Sequence, residues 1–268
     1  MTGDGAAARA TPRDPSDLEA APSFLYHRAW LEGGPVISIS GFCTACGTVH
    51  SLDAGNSRQH ALELMAHLEA NRCLDDGRDA RFSTDYLLGP ARGQMFGVLE
   101  CRAADGNLVV LRAFSCQYNG EWRVDGWVPP VLDVVEFHRI TEPVDREIKA
   151  LDRMISEGAT PGLIQRRRAL SRDLTTRIQG LYRFTNFRGQ TRPLTEVFQG
   201  GIPTGAGDCC APKLLNHAAL QGLTPLGISE FYWGRENRSG TRRHGEFYPA
   251  CAEKCQPILG FMLCGTGE

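Results

Sequence analysis

The chain has 268 residues, ten of them cysteine, with 29 Lys and Arg against 31 Asp and Glu. That length can bury a full core, as one domain or two small ones, and no apolar run approaches the twenty or so residues that a membrane-spanning helix needs. Cysteines in this number, with no secretory leader in view, point to reduced thiols in a cytoplasmic protein, some of them held by metal. The charge is unevenly spread: residues 1–148 carry 13 basic and 21 acidic side chains, whereas residues 149–268 carry 16 and 10. A basic half of this kind either attracts a polyanion or contains one solvated Arg-rich helix.

Met1–Ser23 is rich in Ala, Gly, Pro, Asp and Arg and has no apolar stretch, which is the pattern of a disordered tail ahead of one domain over residues 24–268. Phe24 to His50 reads as strand and loop, with Val36-Ile37-Ser38-Ile39-Ser40 the clearest β signal, and runs into Cys43-Thr44-Ala45-Cys46. Ala61, Leu62, Leu64, Met65 and Leu68 recur at helical spacing and predict a helix from about Ser57 to Arg72. Met95–Glu100 and Leu108–Leu111 flank Ala104-Asp105-Gly106-Asn107, and Asp-Gly there predicts a hairpin. Trp127-Val128-Pro129-Pro130 breaks regular structure.

Residues 143–182 turn polar and helix-forming, with Pro161-Gly162 between two arms and the second arm starting near Leu163. This helical insertion carries Arg166, Arg167, Arg168, Arg172 and Arg177, which either reach phosphates or form a solvated face. Gly189 to Gly207 reads as loop. A helix over Cys209–Leu220 and a strand over Leu226–Trp233 follow, then a basic loop from Gly234 to Arg243. A short turn with Cys251 and Cys255 and an apolar end, Pro257–Leu263, complete the chain.

Gly207 and Asp208 before Cys209, with Pro212 in the first turn, place Cys209 or Cys210 at a helix N-terminus, where a thiolate is stabilised. Cys251 and Cys255 are four apart, so their sulfurs share one helical face. A zinc ion held by both, with a third ligand from Cys209 or Cys210, keeps a fourth position open for water, which is the catalytic form of a zinc site. The bland alternative is a group of buried free thiols acting as small hydrophobes. Hydrolytic attack on a base also needs a carboxylate to move a proton, and Asp208 and Glu230 are the candidates. His244-Gly245-Glu246 has the letters of a deaminase motif, but four residues between Glu246 and Cys251 leave no room for an intervening strand. Cys43 and Cys46 with His50 give part of a small zinc site lacking an evident fourth ligand, for which Cys73 would have to fold back. Cys101, Cys116 and Cys264 read as core residues.

Three runs carry a resemblance: Ile202-Pro203-Thr204-Gly205-Ala206-Gly207-Asp208-Cys209-Cys210-Ala211-Pro212-Lys213-Leu214-Leu215, then Glu230-Phe231-Tyr232-Trp233-Gly234, then His244 through Pro249-Ala250-Cys251-Ala252-Glu253-Lys254-Cys255 to Gly260. With Gln94–Leu99, Arg112–Ser115 and Val128–Asp133 upstream, they resemble the cytidine-deaminase-like accessory region of long RluA-like enzymes that edit tRNA cytidine to pseudouridine. The likeness covers most of residues 36–264. It implies an α/β fold, a cytidine-deaminase-like three-layer core with a β-hairpin, a helical-hairpin insertion and zinc-binding helix N-termini. It also implies C-to-U deamination in RNA, most of all tRNA, with Zn2+ on Cys209 or Cys210, Cys251 and Cys255. Three departures stand out. No pseudouridine synthase domain precedes Glu268, so isomerisation would fall to a separate pseudouridine synthase. Cys-x-x-x-Cys replaces Pro-Cys-x-x-Cys. Ala211 and Pro212 stand where a Glu normally follows the first ligand.

For RNA, Trp233 offers a stacking surface, or a core strand end, and Arg235, Arg238, Arg242 and Arg243 offer phosphate contacts. Two other functions use the same residues. One is a papain-like cysteine hydrolase or amidase, with Cys209 or Cys210 as nucleophile and His244 as base. The other is a zinc-containing RNA-binding module without turnover.

Overall fold

The computed structural model describes residues 38–75, 79–198 and 200–267. The expected tail, Met1–Ser23, lies outside these residues, as do Val36 and Ile37 of the expected first strand. The described chain begins with an antiparallel hairpin of β1 (Ile39–Cys43) and β2 (Thr48–Leu52), which forms a two-stranded sheet of its own. Helix α1 (Ser57–Asn71) buries Ala61, Leu64, Met65 and Leu68, the stripe read from the sequence. A short helix α2 (Asp85–Leu88) leads to the hairpin of β3 (Gln94–Arg102) and β4 (Leu108–Phe114), turning at Gly106 with its φ of 87°.

The helical insertion starts nine residues before Pro143. Helix α3 (Val134–Glu157) is capped by Asp133, whose carboxylate accepts the N–H groups of Val135 (2.8 Å) and Glu136 (3.1 Å). Pro143 sits inside α3 and removes one backbone hydrogen bond without ending the helix. Helix α4 (Pro161–Gln179) begins at Pro161, with Thr160 as its cap, and packs antiparallel to α3. The base of this pair meets the core through Val134, Phe137 and Ile178.

The stretch expected as loop after Gly189 is partly ordered. It contains β6 (Thr191–Pro193), paired with β5 (Arg183–Thr185), and helix α5 (Leu194–Val197). Helix α6 (Cys210–Leu220), strand β7 (Thr224–Trp233) and helix α7 (Gln256–Met262) complete the chain, so the apolar end is helical.

The central sheet has the order β4-β3-β7, antiparallel throughout. Side chains alternate across it. Phe96, Val98, Phe231 and Trp233 join the cluster of α1, whereas Leu99, Cys101 and Ile228 join that of α6. Helices on both faces of a small antiparallel sheet make a mixed α/β molecule, with α1 below and α6 above. Helix α7 lies against β1 at a point where only glycine fits. A Cβ on Gly260 would stand 2.1 Å from the Phe42 carbonyl oxygen, and one on Gly41 would stand 2.2 Å from the Gly260 nitrogen. Among the described residues no helix is long and apolar enough to cross a membrane.

Candidate functional site

The start of α6 gathers the thiols and carboxylates singled out in the sequence. Cys209 is the N-cap residue and Cys255 is the N-cap residue of α7, so two helix N-termini each present a sulfur. The thiols of Cys209 and Cys251 are the nearest influences on Cys255, and both raise its pKa. Cys255 in turn lowers the Cys251 thiol to about 5. Cys210 points elsewhere. It is fully buried under β3, donates to the Met95 carbonyl oxygen (3.3 Å), and its thiol is raised well above the ordinary value by burial. Gly97 makes that burial possible, since a Cβ there would lie 2.6 Å from Cys210 Cβ. Of the two neighbouring thiols, Cys209 is the one facing Cys255.

Glu230 projects from β7 onto the same face. It is 5% exposed, and its Oε1 accepts the Ala211 N–H in the first turn of α6 at 2.9 Å. Burial raises its carboxyl to about 7; the Ala211 bond opposes that shift, Cys251 adds to it and Arg242 opposes it. Asp208 is held by Tyr182, whose hydroxyl donates to Oδ1 at 2.5 Å, and its main-chain oxygen accepts the Cys116 N–H at 2.8 Å. Burial raises the Asp208 carboxyl, with Tyr182, Lys213 and Lys254 working against it. A carboxyl near neutrality next to thiols at a helix start has the protonation behaviour of an acid–base group.

Two neighbours escaped the sequence reading. Lys213 is buried one turn into α6, where its ammonium donates to the Phe114 carbonyl oxygen at 2.7 Å and lies 4.4 Å from the Phe114 ring centre; burial lowers its pKa. Its signal was the spacing of four from Cys209, which puts both on one side of the helix. Cys116, expected in the core, is exposed, with a φ of 54° that residues other than glycine rarely adopt. Cys101 does lie in the core, and burial pushes its thiol up to about 12.

A second cluster stands at the other end of α7. Among the described residues, the group of Cys, His, Asp or Glu ligand atoms lying within 4.8 Å of one another is Cys43, Cys46, His50 and Cys264, and it could hold a metal ion. Cys209, Cys251 and Cys255 are linked through Cys255 rather than by such mutual closeness of all three. Cys46 Sγ is 3.0 Å from His50 Nε2 and 3.9 Å from Cys264 Sγ. Hydrogen bonds from Thr48 first, and also from His50, lower the Cys46 thiol to about 6, while burial raises that of Cys264 to about 12. Cys264 thus supplies the fourth ligand that the sequence left open. Cys73 does not, because its thiol donates to Asp75 (2.9 Å).

Of the residues expected to touch RNA, Arg235 and Arg243 are exposed on the loop after β7, as is Arg238; Arg242 is half-buried with its guanidinium 4.3 Å over the Tyr248 ring. Trp233 is 7% exposed and packs on Phe231 and His244, so its indole is a core strand end rather than a free stacking surface. In the insertion, Arg166 pairs with Glu147 (2.6 Å) and Arg167 with Asp152 (2.5 Å), tying α4 to α3. His244 is 4.1 Å from the Trp233 ring and accepts the Gly234 N–H at Nδ1 (3.0 Å). Glu246 accepts the Tyr248 hydroxyl (2.8 Å). No protein-family model, curated protein or solved structure matches the chain.

Proposed function

We propose that the protein is a zinc-dependent deaminase that converts cytidine to uridine in RNA, with tRNA as its substrate and the cytoplasm as its compartment. The observation that carries this reading is Glu230, a buried carboxyl near neutral pKa, bonded to the first turn of the helix that Cys209 caps and facing Cys251. The donor set of Cys209, Cys251 and Cys255 fits zinc, since three sulfurs leave one position open. A zinc ion there supplies the Lewis acidity that makes water a nucleophile near neutral pH. Glu230 takes a proton from the attacking water and passes it to the base, so that ammonia leaves. A pKa close to the working pH lets one group do both.

Asp208 has a positioning role in this scheme: it ties the start of α6 to Tyr182 and to the Cys116 backbone. The exposed Arg235 and Arg243, with Arg238 and the half-buried Arg242, supply the phosphate contacts. A helical insertion between the hairpin and the cysteine-capped helix supports the reading, since the resemblance to RluA-associated deaminase-like regions implies an insertion there.

The test is incubation of zinc-loaded protein with total tRNA, followed by sequencing for C-to-U changes, with Glu230→Gln alongside. Uridine formed by the wild type and not by a zinc-retaining Glu230→Gln supports the reading. Binding of tRNA without any conversion of tRNA or free cytidine rejects it in favour of a non-catalytic RNA-binding module.

A further inference from the structure

We infer that Cys43, Cys46, His50 and Cys264 form a second, structural zinc site that fastens the β1–β2 hairpin to the end of α7. All four ligand atoms lie within 4.8 Å of one another, although they come from separate places: the last residue of β1, the turn, the middle of β2, and two residues beyond α7. Around a tetrahedral zinc with Zn–S bonds of about 2.3 Å, neighbouring sulfurs stand roughly 3.8 Å apart. Cys46 and Cys264 are at 3.9 Å. The turn is shaped for this, with the Gly47 N–H donating to the Cys43 carbonyl oxygen (2.9 Å) and Gly47 at a φ of 70°. Three thiols and an imidazole are soft and borderline donors, which select zinc over calcium or magnesium. Four protein ligands close the coordination shell, unlike the three at the start of α6.

The hairpin itself needs such a fastening. A two-stranded sheet alone is marginal in water, and this one leaves Phe42 58% and Val49 66% exposed, so apolar burial on that face does little to hold it. Its other face rests on the Gly41–Gly260 contact with α7, beside the four ligands. The same helix is capped by Cys255 at its start and followed by Cys264, about 13 Å along its axis at ~1.5 Å per residue. A metal clamp at the far end therefore fixes the helix that presents Cys255 to the other thiols.

Zinc counting on the intact protein by native mass spectrometry, with Cys46→Ser, Cys264→Ser, His50→Cys and Cys251→Ser as variants, tests this. Cys46→Ser and Cys264→Ser are each expected to lose one zinc per chain relative to wild type, whereas His50→Cys, with four thiolates, keeps it. Cys251→Ser should leave this zinc in place, which separates the inference from the fate of the deaminase reading. A folded Cys264→Ser with the full wild-type zinc complement overturns the site. If the serine variants do not fold, alkylation of the wild type decides. Cys46 should be protected until a chelator is added, and equal labelling with and without chelator counts against the site.

Discussion

Replacing Glu230 by Gln separates the charge of this side chain from its shape. Gln keeps the volume and an oxygen that can accept the Ala211 N–H, and loses only the titrating proton. Burial raises the Glu230 carboxyl from 4.5 to about 7 in the folded protein. At about 1.4 kcal/mol per pKa unit, ionising it in place costs about 3 kcal/mol more than in the unfolded chain. Between those two pKa values the folded state binds more protons than the unfolded state, so stability is highest below about 4.5 and is lost as pH rises through about 7. The Gln variant lacks this loss. The difference in unfolding free energy, Gln minus wild type, should grow from near zero at about pH 4 to about 3 kcal/mol at about pH 8 in zinc-free protein. Denaturant unfolding at several pH values measures it, with tryptophan fluorescence as the signal. Zinc should shrink the difference, because a nearby cation favours the carboxylate. Two parallel stability profiles, with no widening between low and high pH, would refute the placement of a buried, proton-holding carboxyl at this site.

Cys251→Ala should remove zinc from the site at the start of α6 and abolish C-to-U conversion, read by metal analysis and tRNA sequencing; retained activity rejects the ligand assignment. Gly260→Ala forces a methyl group into the Phe42 backbone at 2.1 Å, where nothing flexible can yield, and should lower stability by about 1–3 kcal/mol in thermal melting. Arg242→Ala with Arg243→Ala should weaken RNA binding and flatten its salt dependence by about one unit of slope per lost phosphate contact. An unchanged affinity across salt concentrations would move the RNA footprint elsewhere.

What the sequence reveals of this fold is what depends on short-range periodicity. The stripe of α1, the Asp-Gly hairpin, the helix after Cys209 and the strand before Gly234 all follow from neighbours within a few residues. Pro143 looks like the start of α3 in sequence, whereas the helix begins at the Asp133 cap ten residues earlier. Cys264 could not be paired with Cys46 from spacing, since 218 residues separate them and only the packing of α7 on β1 joins the two. Choosing Cys209 over Cys210 likewise needs Gly97, a residue on another strand. Glu230 and Trp233 are an odd number of residues apart in a strand, so a site that takes Glu230 must give up Trp233.

That alternation also divides the molecule by task. Phe96, Phe231, Trp127 and Trp233 stack and cross on the α1 side of the sheet, with Phe114 and Tyr118 at its edge, at centroid separations of 5.7 to 6.5 Å. Pairs of this kind contribute about 0.5–1.5 kcal/mol each beyond their burial. The α6 side instead holds Glu230, Lys213, Cys209 and Cys210, groups whose burial is costly unless each finds a partner. An aromatic layer on one face lets the opposite face keep ionisable groups dry without unfolding the domain. Conservative changes on the α6 face, such as Glu230→Gln, should therefore alter protonation and metal binding, while truncations among the aromatic rings should first alter stability.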